Sequence, residues 1–268
     1  MTEQIQRAVI LETSDGVGWI RLNRPNAYNA LNLELAENLV EALIRCDEDD
    51  DVRAVVIAGN GSAFCSGGDI RQMHEAVAAK GDAGTFLKTL TIGLHAAIAT
   101  IAHMKKPVIT AVNGPAAGAG FSLALAGDLV LASESARFTL AYTAIGLAPD
   151  GSSTFTLPRL IGPKRAFELM CTNRSLSASE AKELGVVNQV YPAAQFAEQV
   201  REYAVNLARG PVAALGWAKR LVALSMQNTL ETQMEHERQA IAACGRTADF
   251  LEGIDAFLSK RKPEFQRR

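Results

Sequence analysis

KPVITAVNGPAAGAGFSLALAGD, residues 106–128, carries no charge between its terminal lysine and aspartate. A run rich in β-branched residues at 108–112 precedes a turn signal at 113–115 and the Gly-Ala-Gly step at 118–120. This order predicts a buried strand, a tight loop and the N-terminus of a buried helix. The stretch is as long as a membrane span, about 20 residues, but its asparagine, proline and glycines favour core elements.

A helix that begins at such a loop directs free backbone N–H groups at whatever lies in front of it. Small residues let a ligand atom approach those groups, which suits stabilisation of an oxyanion. Residues 54–75 repeat the layout, with a strand, a small-residue loop at 66–69 and a helix. The two loops therefore predict a pair of oxyanion donors, although glycine in tight packing turns explains the same residues and is the more common case.

Strands are expected at 8–12, 17–22 and 129–132, and Asn32 is expected to cap a helix with Leu35 and Leu39 on its buried face. Beyond about residue 195 the pattern is helical. The sequence thus predicts an α/β fold, with a core over 1–195 and a helical region over 196–268.

Bulk composition excludes several classes of function. The 268 residues carry a net charge of −2, with 48% hydrophobic and 21% charged residues, which gives no support for nucleic-acid binding. No signal peptide is recognised, and the four cysteines form no CxxC pair, so free thiols in a reducing cytoplasm are expected. The four histidines suggest no metal site, and no serine-hydrolase, P-loop or dinucleotide motif is present. We expect no metal, no separate cofactor and no membrane association.

Asp150 lies in the segment APDGSS, directly before a helical stretch. On the residues alone, an N-cap is the stronger interpretation, and a general base or nucleophile in a site loop is the alternative. Asp69 precedes a helix in the same way, and there capping is favoured too.

Taken together, the motifs resemble the crotonase superfamily of enoyl-CoA hydratases and isomerases over essentially the whole chain. The motifs are LNRPNAYNAL at 22–31, AFCSGGDI at 63–70, the 106–128 stretch, GLAPDGSSTFTLPRLIG at 146–162 and FLSKRKPEF at 257–265.

The resemblance implies a spiral core of repeated ββα units and a C-terminal trimerisation region, in a homotrimer or a dimer of trimers. It implies an acyl-CoA thioester whose carbonyl oxygen is held by the backbone N–H groups of Gly68 and Ala119. Coenzyme A is then part of the substrate. The residues implied in contact with it are Arg24, Ala63, Ser66, Asp69, Ile70, Phe257 and Lys260.

Departures from the family pattern indicate which reaction is catalysed. Hydratases use two glutamates, and Ser122 and Tyr142 occupy those two positions here. Syn hydration needs one group to activate water and another to deliver a proton, so efficient hydration is not expected. Family members with aspartate at the position of Asp150 resemble isomerases, which move a double bond or isomerise a ring epoxide. The resemblance therefore implies that Asp150 is the catalytic acid/base of an isomerase, and it leaves a second role as a helix cap open. The alternatives are weak hydration, an aryl-CoA dehalogenase with Asp150 as nucleophile, and a non-catalytic acyl-CoA binder.

Overall fold

The structure is a computed structural model that describes residues 7–265. Within them, the strands are β1 Val9–Ser14, β2 Val17–Leu22, β3 Ala54–Gly59, β4 Val108–Val112, β5 Pro115–Ala117, β6 Leu129–Ser133, β7 Arg137–Thr139, β8 Leu176–Ser177 and β9 Gln189–Tyr191. The α-helices are α1 Leu33–Glu48, α2 Ile70–Lys80, α3 Gly84–His103, α4 Ala119–Ala126, α5 Ser153–Ile161, α6 Pro163–Thr172, α7 Ala178–Glu183, α8 Phe196–Ala208, α9 Val212–Ser225, α10 Leu230–Cys244 and α11 Ala248–Leu258.

Two sheets organise the fold. The larger has six strands in the order β1-β2-β3-β4-β6-β9, and it is parallel except for the β1–β2 pair. The smaller has the order β5-β7-β8. Because β4 and β5 follow each other with only two residues between them, the chain passes from the first sheet to the second at the loop that the 106–128 stretch predicts.

Both faces of the six-stranded sheet are covered, since side chains alternate between its faces. Val55 and Ile57 of β3 belong to the main core, while Ala54 and Val56 pack on the other face against α8. Strands buried on both faces read as continuous apolar runs, which explains the sequence of β3 and β4. Helix α8 thus packs on the core sheet, although it lies in the predicted helical region after residue 195. The division of the chain at residue 195 stays a prediction.

The expected helix starts are found. Asn32 caps α1, where its Oδ1 accepts a hydrogen bond of 2.9 Å from the Leu35 amide. Leu35 and Leu39 are buried, as predicted. The short strands β5, β7 and β8 were not predicted, because two or three residues are too few for a periodic pattern.

Helix α3 is the one helix within residues 7–265 that is long and apolar enough, by length and composition, to cross a membrane. It packs against α1 and buries Leu90, Leu94, Ala97 and Ile101 on one face. The 106–128 stretch itself is divided among β4, β5 and α4, which confirms the prediction of core elements there.

The C-terminal helices are joined to the core by a lysine of α9. Lys219 Nζ donates to the Ile101 carbonyl at 2.6 Å and to Asp128 Oδ2 at 2.7 Å. Asp128 Oδ2 also accepts from the Val108 amide at 2.8 Å. Desolvation by burial nevertheless raises the pKa of Asp128, because it outweighs the attraction of the lysine. The hydrogen bonds of Lys219 and Asp128 hold α9 against the start of β4.

Candidate active site

The two small-residue loops pair with each other, in register. Cys65 and Ala116 form a parallel β-bridge, in which the Ala117 amide donates to the Cys65 carbonyl at 2.9 Å. Gly68 lies three residues after Cys65, and Ala119 lies three residues after Ala116. The shared layout of the two strand–loop–helix units thus brings equivalent positions of the two loops close together, as the sequence predicts.

Glycine is required where the loops meet. A Cβ on Gly120 would lie 2.0 Å from the Cys65 carbonyl oxygen, far inside van der Waals contact. Gly67 has φ +100°, which disfavours L side chains, and a Cβ there would lie 2.9 Å from the Ala117 oxygen. These glycines are therefore needed for the close approach of the two backbones, so the packing interpretation and the donor-pair interpretation are compatible.

The amides of Gly68 and Ala119 donate to no acceptor within residues 7–265. Leu31 pairs with the residues on either side of Gly68, since its amide donates to Gly67 and its carbonyl accepts from Asp69. In strand-like pairing this leaves the Gly68 N–H on the opposite side. Ala119 is the first residue of α4, where helical amides have no intrahelical partner. Two free donors are thus available to a ligand oxygen.

Asp150 lies beside the helix that begins with Ala119. The Tyr142 hydroxyl donates to Asp150 Oδ1 at 2.6 Å. Ser122, one turn into α4, has its Oγ 2.9 Å from the Tyr142 hydroxyl and donates to the Asp150 carbonyl at 2.9 Å. Ser122 and Tyr142, which the resemblance implies are the hydratase glutamate positions, therefore lie in one network with Asp150. Sequence reasoning missed this link because it depends on residues 20 and 28 positions apart.

Electrostatics keep Tyr142 neutral. Its side chain is 8% exposed. Burial, reinforced by the nearby Asp150 carboxylate, raises the pKa of Tyr142 far above its usual value. The phenol therefore acts as a hydrogen-bond donor to the carboxylate.

The N-cap interpretation of Asp150 is wrong for its side chain. Helix α5 begins after Ser152 without a side-chain cap, and the Asp150 carboxylate instead accepts from Tyr142. Only the Asp150 carbonyl serves the helix start, since it accepts from the Ser153 amide at 3.1 Å. The capping prediction for Asp69 is confirmed, because its Oδ1 accepts from the Arg71 amide at 3.1 Å.

His95 is a neighbour of the site that the sequence gave no reason to select. Its Nε2 accepts the Gly151 N–H at 3.3 Å, which places the imidazole against the loop of Asp150.

Within residues 7–265, no group of three or more histidine, cysteine or acidic side chains converges as metal ligands. Burial raises the pKa of Cys65 to about 11, so this thiol beneath the loops is protonated at neutral pH.

Several of the residues implied in coenzyme A binding come together. Arg24 forms an ion pair of 2.9 Å with Asp69 and donates to the Ala30 carbonyl, which joins the 22–31 loop to the 63–70 loop. Ser66 and Ile70 are exposed in that second loop, while Ala63 is buried.

Phe257 and Lys260 make no recorded polar contact with these two loops among the described residues. Phe257 is 82% exposed at the end of α11, and Lys260 follows that helix. Neither side chain makes a hydrogen bond or ion pair to the 22–31 or 63–70 segments, as far as the described part of the chain extends. Their implied role in binding stays a prediction.

Known proteins resemble this chain over almost its whole length. The sequence model described as Enoyl-CoA hydratase/isomerase matches residues 12–268. The chain is 38% identical to the 1,2-epoxyphenylacetyl-CoA isomerase of Escherichia coli strain K12, over 96% of this chain and 97% of the relative. It is also 38% identical to the 4-chlorobenzoyl coenzyme A dehalogenase-2 of an Arthrobacter species, over 97% and 94%.

A solved structure extends the agreement to the fold. The crystal structure of an enoyl-CoA hydratase from Bacillus anthracis superposes with a TM-score of 0.91 at 34% identity, covering 97% of this chain and all of the other. The predicted α/β, crotonase-like fold class is thereby confirmed. On its sequence and its fold, the chain belongs to the enoyl-CoA hydratase/isomerase family.

Proposed function

We propose that this protein is an acyl-CoA isomerase that uses Asp150 as its acid/base and the amides of Gly68 and Ala119 as its oxyanion hole. The observation that carries the proposal is the hydrogen bond of 2.6 Å from Tyr142 to Asp150. It holds one carboxylate beside the helix whose first amide is free. The Tyr142 hydroxyl also lies 2.9 Å from Ser122 Oγ, so the two residues that the resemblance places at the hydratase glutamate positions lie together beside this carboxylate.

The proposed reaction is a proton transfer between two carbons of the acyl group. Asp150 removes a proton next to the conjugated system, and the electrons of that C–H bond pass into the thioester to form an enolate. The negative charge rests on the thioester oxygen, where Gly68 and Ala119 donate to it. Asp150 then returns the proton at another carbon, which shifts the double bond. No cofactor takes part in these steps beyond the coenzyme A of the substrate.

Hydration is disfavoured by the same arrangement. Adding water across a double bond needs one group to activate the water and another to deliver the proton. Ser122 and Tyr142 carry neutral hydroxyl groups that lie 2.9 Å apart, and a neutral hydroxyl is a weak base. A single carboxylate is sufficient for isomerisation, whereas syn hydration needs a second acid/base group in addition to it.

A dehalogenase is the second candidate, supported by the equal identity to the isomerase and dehalogenase relatives. In that reaction Asp150 would attack a ring carbon, halide would leave with its bonding electrons, and water would hydrolyse the resulting aryl ester. Asp150 Oδ2 accepts no hydrogen bond within the described residues, so one carboxylate oxygen is open for either role.

A turnover screen distinguishes the two reactions. We expect trans-3-hexenoyl-CoA or an aromatic-ring CoA ester to be isomerised, with formation of the conjugated thioester followed by absorbance and mass. Chloride release from 4-chlorobenzoyl-CoA, with oxygen-18 from water entering the Asp150 carboxylate, would favour the dehalogenase. Binding of all these thioesters without turnover of any would show a non-catalytic acyl-CoA binder and contradict the proposal.

We further propose a homotrimer or a dimer of trimers, assembled through the C-terminal helices. Support comes from the large apolar side chains that α10 and α11 expose: Leu230, Met234, Ile241, Phe250, Leu251, Ile254, Phe257 and Leu258. Exposed apolar surface of this extent is typical of protein interfaces. Light scattering on the purified protein is expected to give three or six times the mass of one chain. A monomer would contradict the proposal.

A further inference from the structure

The hydroxyl groups around Asp150 have a defined donor order. An ionised carboxylate only accepts hydrogen bonds, so the single hydrogen of the Tyr142 hydroxyl is directed to Asp150 Oδ1. The hydrogen of Ser122 is then left for the Asp150 carbonyl or for the oxygen of Tyr142, both at 2.9 Å. Donation to the carbonyl ties the Asp150 main chain to α4, whereas donation to Tyr142 ties the phenol to α4.

The main chain at Asp150 is anchored independently of its carboxylate. Ser153 donates to the Asp150 carbonyl at 2.8 Å, and Ser122 Oγ lies 2.9 Å from the same oxygen. Gly151 packs so closely on α4 that a Cβ there would lie 2.7 Å from the Ser122 Cβ. With the backbone held, the remaining freedom of Asp150 is rotation of its side chain, and Tyr142 is the group that restrains it.

The two oxygens of the carboxylate are consequently unequal. Oδ1 accepts the short bond from Tyr142, while Oδ2 accepts none within residues 7–265. A short hydrogen bond to an ionised acceptor is strong and directional. The Tyr142 side chain is also almost fully buried, so it has little room to leave this position.

We propose that Tyr142, whose hydroxyl lies 2.9 Å from Ser122 Oγ, is a positioning residue that makes Oδ2 of Asp150 the oxygen that takes and returns the proton. This inference rests on the function proposed above. The two positions that differ from the hydratase pattern thereby acquire a common role, which is to orient one base. Because an oriented carboxylate returns the same proton quickly, little of that proton exchanges with solvent during turnover.

The test compares Tyr142→Phe with wild-type protein on trans-3-hexenoyl-CoA in deuterated water. Loss of orientation is expected to lower kcat by about 10- to 100-fold. KM should change little, because Tyr142 acts on the base and not on the acyl-CoA. Deuterium in the product should rise, a change that a merely structural role for Tyr142 would not produce. Tyr191→Phe is the matched control, since the Tyr191 hydroxyl makes no side-chain hydrogen bond in the described part of the chain.

A second variant tests whether Ser122 contributes to the positioning of Tyr142 and Asp150. Ser122→Ala should move kcat and deuterium content in the same direction by a smaller factor. The double variant Ser122→Ala/Tyr142→Phe should be less impaired than the product of the two single effects, because coupled residues are not additive. Wild-type kcat and wild-type deuterium content in Tyr142→Phe would overturn the inference.

A structural readout separates this inference from the proposed function. In a crystal structure of Tyr142→Phe, we expect the Asp150 carboxylate to occupy more than one orientation. A single orientation identical to that of the wild-type protein would overturn the positioning role, whatever the reaction. If Asp150→Asn abolishes turnover while Tyr142→Phe remains fully active, the isomerase proposal survives and only the role of Tyr142 fails.

Discussion

Asp150→Asn is expected to lower turnover of trans-3-hexenoyl-CoA by about 10³-fold, within the range of general acid–base catalysis. The amide is nearly isosteric with the carboxylate, and its oxygen can still accept the hydrogen bond from Tyr142. It cannot, however, take up a proton from carbon. The enolate therefore cannot form at a useful rate, although the site around it keeps its shape.

Binding separates this loss from misfolding. The dissociation constant of hexanoyl-CoA, measured by calorimetry, should be nearly the same for Asp150→Asn and for wild-type protein. Asp51→Asn, an equal substitution at an exposed position outside the site, serves as the control and should retain full activity. Wild-type turnover by Asp150→Asn would show that Asp150 does not transfer the proton, and it would contradict the proposed isomerase mechanism.

Gly120→Ala is expected to distort the oxyanion hole by displacing one of the two loops that form it. Its Cβ would lie 2.0 Å from the Cys65 carbonyl oxygen, and that atom is main chain, so one of the two loops has to move. The movement separates the amides of Gly68 and Ala119 from a common ligand oxygen. Loss of one oxyanion donor lowers kcat by about 10²- to 10³-fold, and we expect an effect of that size.

Stability should fall as well, since overpacking of a close contact costs about 1–3 kcal/mol. Chemical denaturation measures this change, and the folded fraction has to be determined before activity is compared. Gly253→Ala is the control, because its Cβ would meet only the Phe265 ring at an ordinary 3.7 Å. A folded Gly120→Ala protein with wild-type kcat would show that the paired loops do not hold the reacting oxygen.

Local features of the site were readable from the sequence. Asn32 and Asp69 were predicted as helix caps, and both side chains accept the expected backbone amides. Each prediction depends on residues only two or three positions apart, and such short-range geometry follows from backbone stereochemistry. The same holds for the two strand–loop–helix units, whose apolar runs and glycines are contiguous along the chain.

Long-range contacts were not readable in this way. The N-cap role that the residues alone favour for Asp150 is not taken by its side chain, because a buried tyrosine eight residues earlier, beyond the reach of a capping pattern, donates to the carboxylate at 2.6 Å. His95 contacts the Asp150 loop across 56 residues, and no local pattern marks it. The direction of the Asp150 carboxylate is set by Tyr142, which follows β7, while His95 of α3 and Ser122 of α4 contact the main chain at 150–151.

The chain alone determined the α/β class, the two small-residue loops and the family, because these depend on contiguous patterns of apolar residues, glycines and caps. The folded structure decided that Cys65 pairs with Ala116, so that two free amides come close together. It also decided that Ser122 and Tyr142 surround Asp150. Hydrogen bonds form between groups that meet in space, and that meeting depends on the packing of the whole core.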